Sequence, residues 1–323
     1  MYNFYSPSTQ KALYISADES ILGTEDKSES YPIINGIPRF VEDNNYASAF
    51  GFQWKKFSKT QLDSYSNLTI SEDRLKRVIG FPLSELNGMK VLEAGSGSGR
   101  FTEILLKYGS ILDTFDYSNA CEANKENHPD ASIAQADIRA MPYIDNSYDL
   151  VICIGVLQHT PSPEESIKCL YSKLKNGGKL VIDHYRFKLR NILPPPIGVA
   201  TALYRPIVKN LPPKYQWKFV NKLVNLFFPM HWEVRHSKLA LRALRRISPV
   251  HFYFHELPLS SREMHYQWSL LDTHDGLADY YKHHRSVNQI KKFLEDLGCQ
   301  NIECYISPSD GIEARAIKKV EYP

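Results

Sequence analysis

The chain of 323 residues is 43% hydrophobic and 23% charged, which is enough apolar material for one large core and a smaller unit. A net charge of +3 names no partner, and no apolar run approaches the ~20 residues that a membrane-spanning helix needs. No leader pattern opens the chain and the five cysteines form no C-x-x-C pair, so we expect a cytoplasmic protein without a metal site.

Residues 1–45 are predicted to form a small β segment. Asn35-Gly36 separates two strand-like pieces and is a strong signal for a two-residue hairpin turn. The string YPIINGIPRF at residues 31–40 resembles the end of a Trm112-type small β domain. Relatives of that domain often bind zinc through cysteines near their start, but residues 4–7 contain none, so we predict no zinc. An ordinary hairpin packed on the main domain is the simpler alternative.

Residues 46–87 are predicted to be mainly helical. Acidic residues follow Ser71 and basic residues precede Gly80, which is the charge order of a helix that Ser71 caps and Gly80 ends. Aromatic residues are frequent before this helix, and ordinary packing is the simplest explanation for most of them.

The stretch VLEAGSGSGRF at residues 91–101 predicts a buried strand, a glycine turn and the start of a helix. Three alternate glycines at 95–99 give a backbone that a ligand can approach closely. A dinucleotide fingerprint would have a glycine where this chain has Arg100. The loop, with its preceding acid, resembles motif I of the class I S-adenosylmethionine (SAM) methyltransferases of type 11/12. The resemblance implies cofactor contacts at Glu93, Gly95, Ser96, Gly97 and Gly99.

The segment before motif I often folds over the cofactor in this family. The resemblance therefore implies that Arg74 meets the carboxylate of the methionine moiety as a bidentate pair, although a surface salt bridge is an alternative. It also makes Trp54 a candidate contact to the substrate, with ordinary packing as the alternative.

Acidic residues at the ends of the next two strands are predicted to hold the nucleoside. Asp116 follows the glycine turn by about 20 residues, where a carboxylate can accept hydrogen bonds from a ribose diol. Capping the following helix is the alternative for Asp116. The resemblance implies that Tyr117 lies against the adenine, that Asp137 accepts from its amino group and that the Ile138 amide donates to its ring. Turn chemistry is the alternative for Asp137.

The fourth strand, YDLVICI at residues 148–154, is apolar almost throughout, as expected for a strand covered on both faces. It leads directly into the segment GVLQHTP. Ligands of open α/β sheets bind beyond the carboxyl ends of the strands. Gly155, Gln158 and His159 are therefore predicted to lie around the transferred methyl group.

The remaining pattern predicts an α/β fold: a Rossmann-like, seven-stranded class I methyltransferase sheet with a small N-terminal β segment and a helical cap inserted after the fifth strand. A terminal antiparallel hairpin resembles this sheet rather than the NAD-binding one. The further predicted elements are a helix at 164–174, a strand at 179–185, a helix at 287–299, and strands at 301–306 and 311–317. The predicted domains are 1–45, 46–87, a core of 88–187 with 281–323, and the insertion 188–280.

The insertion is strongly basic. Between Arg186 and Arg246 there are roughly thirteen Lys or Arg residues and one acid, Glu233. This bias implies an anionic neighbour, such as a phosphate-bearing or carboxylate substrate or an acidic lipid surface. A solvated basic face and a homodimer contact are the alternatives. No RNA-binding module signature appears, so nucleic acid is a minor alternative.

The leading functional hypothesis is a SAM-dependent methyltransferase that releases S-adenosylhomocysteine. Its acceptor is predicted to be a small molecule or glycan, with an anionic or lipid-linked one among the candidates and oxygen as the favoured atom. A hydroxyl acceptor gains from a general base, for which His159 is the first candidate and His184 the second. Both could instead only shape the pocket, and Tyr185 is a candidate substrate contact.

Two other classes of function compete with this hypothesis. A non-catalytic SAM-binding protein could use the basic insertion as a docking surface. An NAD-dependent or nucleotide-sugar oxidoreductase shares the early strand, glycine turn, helix and acid. Arg100 and the terminal hairpin argue against the oxidoreductase.

Overall fold

The computed structural model describes residues 4–42, 45, 47, 51, 53, 54 and 56–320, and it begins with a small antiparallel sheet. The predicted hairpin is confirmed: Ile34 pairs with Ile37, and both Asn35 and Gly36 have positive φ, as a type I′ turn requires. One strand of this sheet was not predicted from the sequence. The strands are β1 (Tyr14–Ile15), β2 (Ile21–Gly23), β3 (Ser30–Ile34) and β4 (Ile37–Pro38).

Arg39 joins the small sheet to the main body of the protein. It is almost fully buried, and its guanidinium donates to Gln135 Oε1 and Glu122 Oε1, both at 2.9 Å. Phe40 N–H donates to the Gln135 carbonyl at 2.8 Å. A charged group in this position is stable because each partner is polar and close.

The centre of the protein is a seven-stranded sheet. Its order is β10-β11-β9-β8-β5-β6-β7, and β11 runs antiparallel to both of its neighbours whereas β5 to β9 are parallel. This arrangement confirms the predicted fold class. The strands are β5 (Lys90–Ala94), β6 (Ile111–Asp116), β7 (Ser132–Gln135), β8 (Tyr148–Cys153), β9 (Leu174–His184), β10 (Gln300–Ile306) and β11 (Ile312–Ile317).

Two apolar layers cover the sheet. Leu92 and Val151 face one layer, and Val91 and Leu150 face the other. Because both faces are buried, these strands are continuous apolar runs rather than alternating ones. The helices of this part are α1 (Asp63–Ser66), α2 (Ile70–Ile79), α3 (Arg100–Lys107), α4 (Ala120–Asn127) and α5 (Pro163–Lys173).

Two local predictions require correction. Ser71 does not cap α2, because the Asp63 carboxylate accepts hydrogen bonds from the Ser71 and Glu72 amides at 2.9 Å and thus satisfies the helix N-terminus. The fifth strand begins at Leu174 instead of residue 179. Leu174 pairs with Tyr148 and Lys179 with Leu150, so the residues between them form a bulge within β9.

The insertion forms a helical layer with an apolar core of its own, which includes Trp217, Val224, Phe228 and Leu270. The sequence predicts helices at residues 218–228 and 237–247, and both are present, whereas the helix at residues 262–278 was not predicted. Within the described residues, no helix is both long and apolar enough to cross a bilayer. The helices are α6 (Leu189–Ile192), α7 (Thr201–Val208), α8 (Pro213–Glu233), α9 (Lys238–Leu244), α10 (Arg262–Ala278) and, closing the core, α11 (Val287–Asp296).

Candidate active site at the carboxyl ends of the strands

The glycine loop lies between the end of β5 and the start of α3. The amides of Gly95 and Ser96 both donate to the Phe115 carbonyl, at 2.8 and 3.0 Å, and hold the loop against the end of β6. Gly95 and Gly99 have φ of 78° and 95°, and a Cβ on either would lie within 2.3 Å of Val156 or Asn124. Both positions therefore require glycine for conformation and for space.

Glu93 lies in β5, the strand that leads into this loop. Its Oε2 accepts from the Thr102 hydroxyl at 2.5 Å and from the Thr114 hydroxyl at 3.0 Å, which links β5 to α3 and β6. Burial raises the pKa of the Glu93 carboxyl to about 7. These contacts join the strand before the loop to the helix after it and to the neighbouring strand, and the contact of Glu93 to the cofactor stays a prediction.

Asp116 lies at the end of β6, directly beside the glycine loop. Its Oδ2 accepts from the Gly97 amide at 2.9 Å, and its Oδ1 accepts from the amide and the hydroxyl of Ser118 at 2.8 and 2.7 Å. Burial raises the pKa of Asp116. One oxygen therefore closes the turn before the following helix and the other holds the loop, whereas the N-cap residue of that helix is Asn119 and not Asp116. Tyr117 follows, half-buried, and its carbonyl accepts from Asn45 Nδ2 at 3.2 Å.

Asp137 and Ile138 follow β7, the neighbouring strand. The Ala136 amide donates to the Asp116 carbonyl at 3.0 Å, so Asp137 comes one residue after the contact between the two strand ends. The Asp137 carboxylate forms a two-point ion pair with Arg139, at 3.1 and 2.7 Å. The local turn chemistry considered as an alternative is thus present. The Ile138 side chain is buried in the apolar core, which leaves only its backbone for a ligand.

Gly155, Asp183 and Arg74 form a chain of contacts at the ends of β8 and β9. The Gly155 amide donates to Asp183 Oδ1 at 2.6 Å, and Arg74 Nη2 lies 2.5 Å from Asp183 Oδ2. Burial raises the pKa of Asp183, which Arg74 opposes. A Cβ built on Gly155 would have no atom within 4 Å, so open space borders this glycine. Arg74 is thus already ion-paired beside the glycine predicted to lie near the methyl group.

Arg100 is a site residue that sequence reasoning missed. In the sequence, Arg100 is notable only because it stands where a dinucleotide fingerprint has a glycine. In the structure, its guanidinium donates to the Ser71 hydroxyl at 2.9 Å and lies over the Trp268 ring at 5.6 Å. Burial and the nearby Arg74 together lower its pKa to about 10, and Asp272 opposes the shift. The available signal was a cation directly after the glycine turn.

His159 lies between two carboxylates that the insertion supplies. Its Nδ1 is 3.3 Å from the Tyr281 carbonyl and 3.4 Å from Asp279 Oδ2, and its Nε2 is 3.9 Å from Asp275 Oδ2. Burial lowers the pKa of His159, but the two carboxylates outweigh burial and leave the pKa above its ordinary value. The Tyr185 ring packs edge-on against the imidazole with centroids 5.3 Å apart, and its hydroxyl donates to Asp275 at 3.4 Å.

Asp279, which was not predicted from the sequence, brings together His159 and two cations. The carboxylate is fully buried at the end of α10, with Arg205 Nε at 2.6 Å and Lys282 Nζ at 3.3 Å. Burial raises the pKa of Asp279, but Lys282, His159 and Arg205 outweigh it and hold the pKa at about 2. A carboxylate that stays ionised can keep the imidazole in one tautomer and orientation.

His184 has a different environment from His159. Its Nδ1 lies 3.0 Å from the Tyr185 carbonyl, and burial lowers its pKa to about 4. Its charged neighbours are Arg285 and Glu164 rather than the carboxylates of α10. The geometry therefore favours His159 over His184 as a base. Gln158, directly before His159, is buried, and its carbonyl accepts from the His283 amide at 2.9 Å.

Trp54 lies over the glycine loop. A Cβ built on Gly97 would be 3.3 Å from the Trp54 ring, so glycine is what allows the indole to approach the loop backbone. The adjoining Gln53 side chain makes a buried hydrogen bond of 2.6 Å to His274 Nδ1 of α10. The segment before α1 therefore contacts both the loop and the insertion.

Several buried polar atoms of the site have no hydrogen-bond partner among the described residues. They are Ser96 Oγ in the loop, Arg74 Nε and Gln158 Oε1. Such atoms are costly unless a ligand or water satisfies them. Together with the open space beside Gly155, they fit a polar ligand that spans from the glycine loop to the end of β8. In the same described ranges, no group of three or more His, Cys, Asp or Glu residues is arranged to hold a metal ion.

Residues 92–182 match the protein family described as Methyltransferase domain. The match begins inside β5 and ends inside β9, and it includes the glycine loop, Asp116, Asp137 and His159. Over these residues, less than a third of the chain, the protein is therefore similar to that family.

Curated relatives carry names from quinone biosynthesis. A ubiquinone biosynthesis O-methyltransferase of Coxiella burnetii is 31% identical over 100 residues, which cover 29% of this chain and 43% of the relative. A demethylmenaquinone methyltransferase of Renibacterium salmoninarum is 26% identical over 113 residues, which cover 35% of this chain and 48% of the relative. The chain thus spans less than half the length of these relatives. Among solved structures, magnesium protoporphyrin IX methyltransferase from Synechocystis PCC 6803 with bound SAM has a TM-score of 0.43 at 13% identity, covering 85% of this chain and 94% of that one.

Proposed function

We propose that this protein is a SAM-dependent methyltransferase that methylates a hydroxyl group of a small-molecule or glycan-type acceptor. The observation that carries the proposal is the position of His159, which follows β8 in the same domain as the glycine loop and lies 3.4 Å from the Asp279 carboxylate of the insertion. An ionised carboxylate behind a histidine, next to an open space, is an arrangement suited to a general base. The relatives named as O-methyltransferases support oxygen as the acceptor atom.

The cofactor would extend along the ends of β5, β6 and β8. The glycine loop with Ser96 would face its amino-acid part, Asp116 its ribose and the residues around Asp137 its adenine. Arg74, with one nitrogen on Asp183 and another without a partner among the described residues, has a donor available for the carboxylate of the methionine moiety. When bound, SAM supplies a methyl group that its sulfonium already activates.

The protein's own residues would then orient the acceptor and accept its proton. His159 would take the proton from the acceptor hydroxyl at Nε2, while the Tyr281 carbonyl and the Asp279 carboxylate hold Nδ1. Tyr185 and Asp275 border that nitrogen and would contact the acceptor. No covalent intermediate is needed, because holding two reactants in line and excluding water lowers the barrier sufficiently.

The flanking segments complete the enclosure in this proposal. Residues 46–87 form a cover over the cofactor, since Trp54 lies on Gly97. Residues 188–280 form a substrate cap that supplies α10 with its carboxylates. The N-terminal sheet is a Trm112-like unit that has lost the zinc cysteines, and its docking through Arg39 gives it a structural role.

Calorimetric titration with SAM and with NADH tests the cofactor, and screening of acceptors by mass shift tests turnover. We expect SAM to bind and NADH not to bind. His159→Ala should keep SAM affinity and lose turnover, whereas His184→Ala should keep both. Affinity for NADH alone would replace the proposal by an oxidoreductase. Binding of SAM with no methylated product across hydroxyl acceptors would favour a non-catalytic SAM-binding protein.

A further inference from the structure

The long helix α8 has two faces of different character. Its inner face packs Trp217, Val220, Val224 and Phe228 into the core of the insertion. Its outer face has a stripe in which exposed residues recur at every fourth position, which in a helix brings them into one row. We call this row the α8 stripe, and its members are Lys214, Lys218, Lys222, Leu226 and Met230.

The neighbouring helix α7 extends the surface with apolar side chains. Leu203 and Ile207 are 51% and 57% exposed and lie one turn apart. The turn between the two helices is closed by Gln216 Nε2, which donates to the Lys209 carbonyl at 3.2 Å, so the end of α7 adjoins the lysine end of the stripe. Tyr215, 57% exposed, lies at this junction.

Exposed apolar side chains are concentrated in this part of the protein. Of the large apolar side chains exposed among the described residues, about half lie within residues 187–247, including Ile197 and Leu239 at more than 70% exposure. Scattered exposed leucines are ordinary, but a concentration of them next to lysines is typical of a surface that meets an apolar–polar boundary.

The outer lysines have no acidic complement within the protein. Over the described residues, Lys214, Lys218 and Lys222 form no ion pair. By contrast, Arg205 of the insertion pairs with Asp279, and Arg186, just before the insertion, pairs with Asp310. The outer face of α8 therefore has positive charge without an acidic partner among the described residues, which an external anion can complement.

We propose that the α8 stripe and the exposed face of α7 dock this protein on an anionic lipid membrane. The lysines would meet the acidic headgroups while Leu203, Ile207 and Leu226 enter the boundary of the acyl region. The proposal goes beyond the proposed function, because membrane binding requires neither SAM nor methyl transfer. It describes a protein that lies on the membrane surface.

Co-sedimentation of the full chain with vesicles tests the proposal. We expect binding to phosphatidylcholine vesicles that contain about one-third phosphatidylglycerol, weaker binding at high salt and little binding to pure phosphatidylcholine. The variant K214E/K218E/K222E should lose more than tenfold in vesicle affinity, since each basic residue contributes about fivefold near such a surface. The variant L203E/I207E should also release the protein at unchanged lysine content.

A charge-matched control separates docking from net charge. Lys27, Lys168 and Lys292 are exposed lysines on other elements, and K27E/K168E/K292E should bind vesicles nearly as well as the unchanged protein. SAM affinity and thermal unfolding confirm that each variant is folded. Equal loss in the control, or equal binding to neutral and anionic vesicles, would overturn the proposal. Absence of vesicle binding together with dimers that L203E/I207E dissociates would assign the face to a second copy instead.

Discussion

The imidazole of His159 is held 3.4 Å from the buried carboxylate of Asp279, although the two residues belong to different layers of the protein. His159 ends the short 3₁₀ turn after β8, whereas Asp279 ends α10 of the insertion. The core therefore supplies the imidazole of the candidate base, and the cap supplies the carboxylate beside it. A cap helix that left its position would remove the group that orients the imidazole.

Asp279→Asn is expected to lower the pKa of His159 and the rate of methyl transfer. The neutral imidazole is the active form, and Asp275 and Asp279 raise its pKa, so activity falls as pH drops through that value. Removing one carboxylate shifts this acidic limb to lower pH and reduces kcat by on the order of 100-fold. The measurement is a pH–rate profile, with Asp145→Asn, an exposed partner of Lys173, as the control. An unshifted limb would contradict the orienting role, and unchanged SAM affinity would show that the variant is folded.

Gly155→Ala is expected to abolish cofactor binding at a moderate cost in stability. Gly155 and Gly88 have φ of 82° and 76°, and a Cβ on either would meet no atom within 4 Å. Both substitutions should therefore lower the free energy of unfolding by about 1–2 kcal/mol, through the left-handed backbone alone. Of the two added methyl groups, only the one at position 155 would enter the proposed SAM site. Denaturant unfolding and SAM titration of the two variants provide the comparison, and equal SAM affinities would count against this location of the site.

Arg74→Lys is expected to weaken SAM binding by about tenfold to hundredfold, because a lysine cannot reproduce a two-point contact to a carboxylate. Methylthioadenosine lacks that carboxylate, so its affinity should be unchanged. Arg77→Lys is the matched control, since Arg77 lies on the same helix and forms its own two-point pair with Glu313. Titration of both ligands decides the question. A parallel loss for the two ligands would assign Arg74 to the structure of the site.

Glu93→Gln is expected to change how stability depends on pH. The folded protein holds a proton on Glu93 up to a pKa of about 7, whereas the unfolded chain releases it near 4.5, so this group destabilises the fold as pH rises between the two values. Glutamine does not ionise, so the variant does not lose stability in this way. The free energy of unfolding of the variant, minus that of the unchanged protein, should therefore increase by about 3 kcal/mol from pH 4.5 to 8.

Glu72→Gln is the control of opposite sign for this measurement. Lys107 and Tyr108 lower the pKa of Glu72, so its contribution to stability is present above pH 4.5 and is lost as pH falls through the lower folded value. Urea unfolding at several pH values measures both variants. A flat difference between Glu93→Gln and the unchanged protein would show that the buried carboxyl is ionised throughout.

Local patterns were sufficient for the central sheet. Leu92 and Val151 lie in apolar runs that can only be strands covered on both faces, and Gly95 marks the turn because no other residue fits its backbone and its contact with Val156. The pairing of Asp137 with Arg139 is also local, because the two residues are two positions apart. It agrees with the role in turn chemistry that was the alternative for Asp137.

The helix α10 was missed because it is buried on most of its surface. His265, Ser269, Thr273 and His274 are buried together with its apolar residues, so polar and apolar positions do not separate into two faces. The periodicity that predicts a surface helix is therefore absent. The same helix ends at Asp279, and the site could not be completed from the sequence without it.

The sequence by itself determined the succession of core strands along the chain, the glycine loop and the positions of Asp116 and His159 after strands. These features depend on spacing along a short stretch of chain. Only the tertiary structure decided that Arg74 meets Asp183, that the Arg100 guanidinium lies over the Trp268 ring and that Asp279 lies beside His159. Those contacts join segments that are far apart in the chain. Their energies depend on burial and distance, which no local pattern encodes.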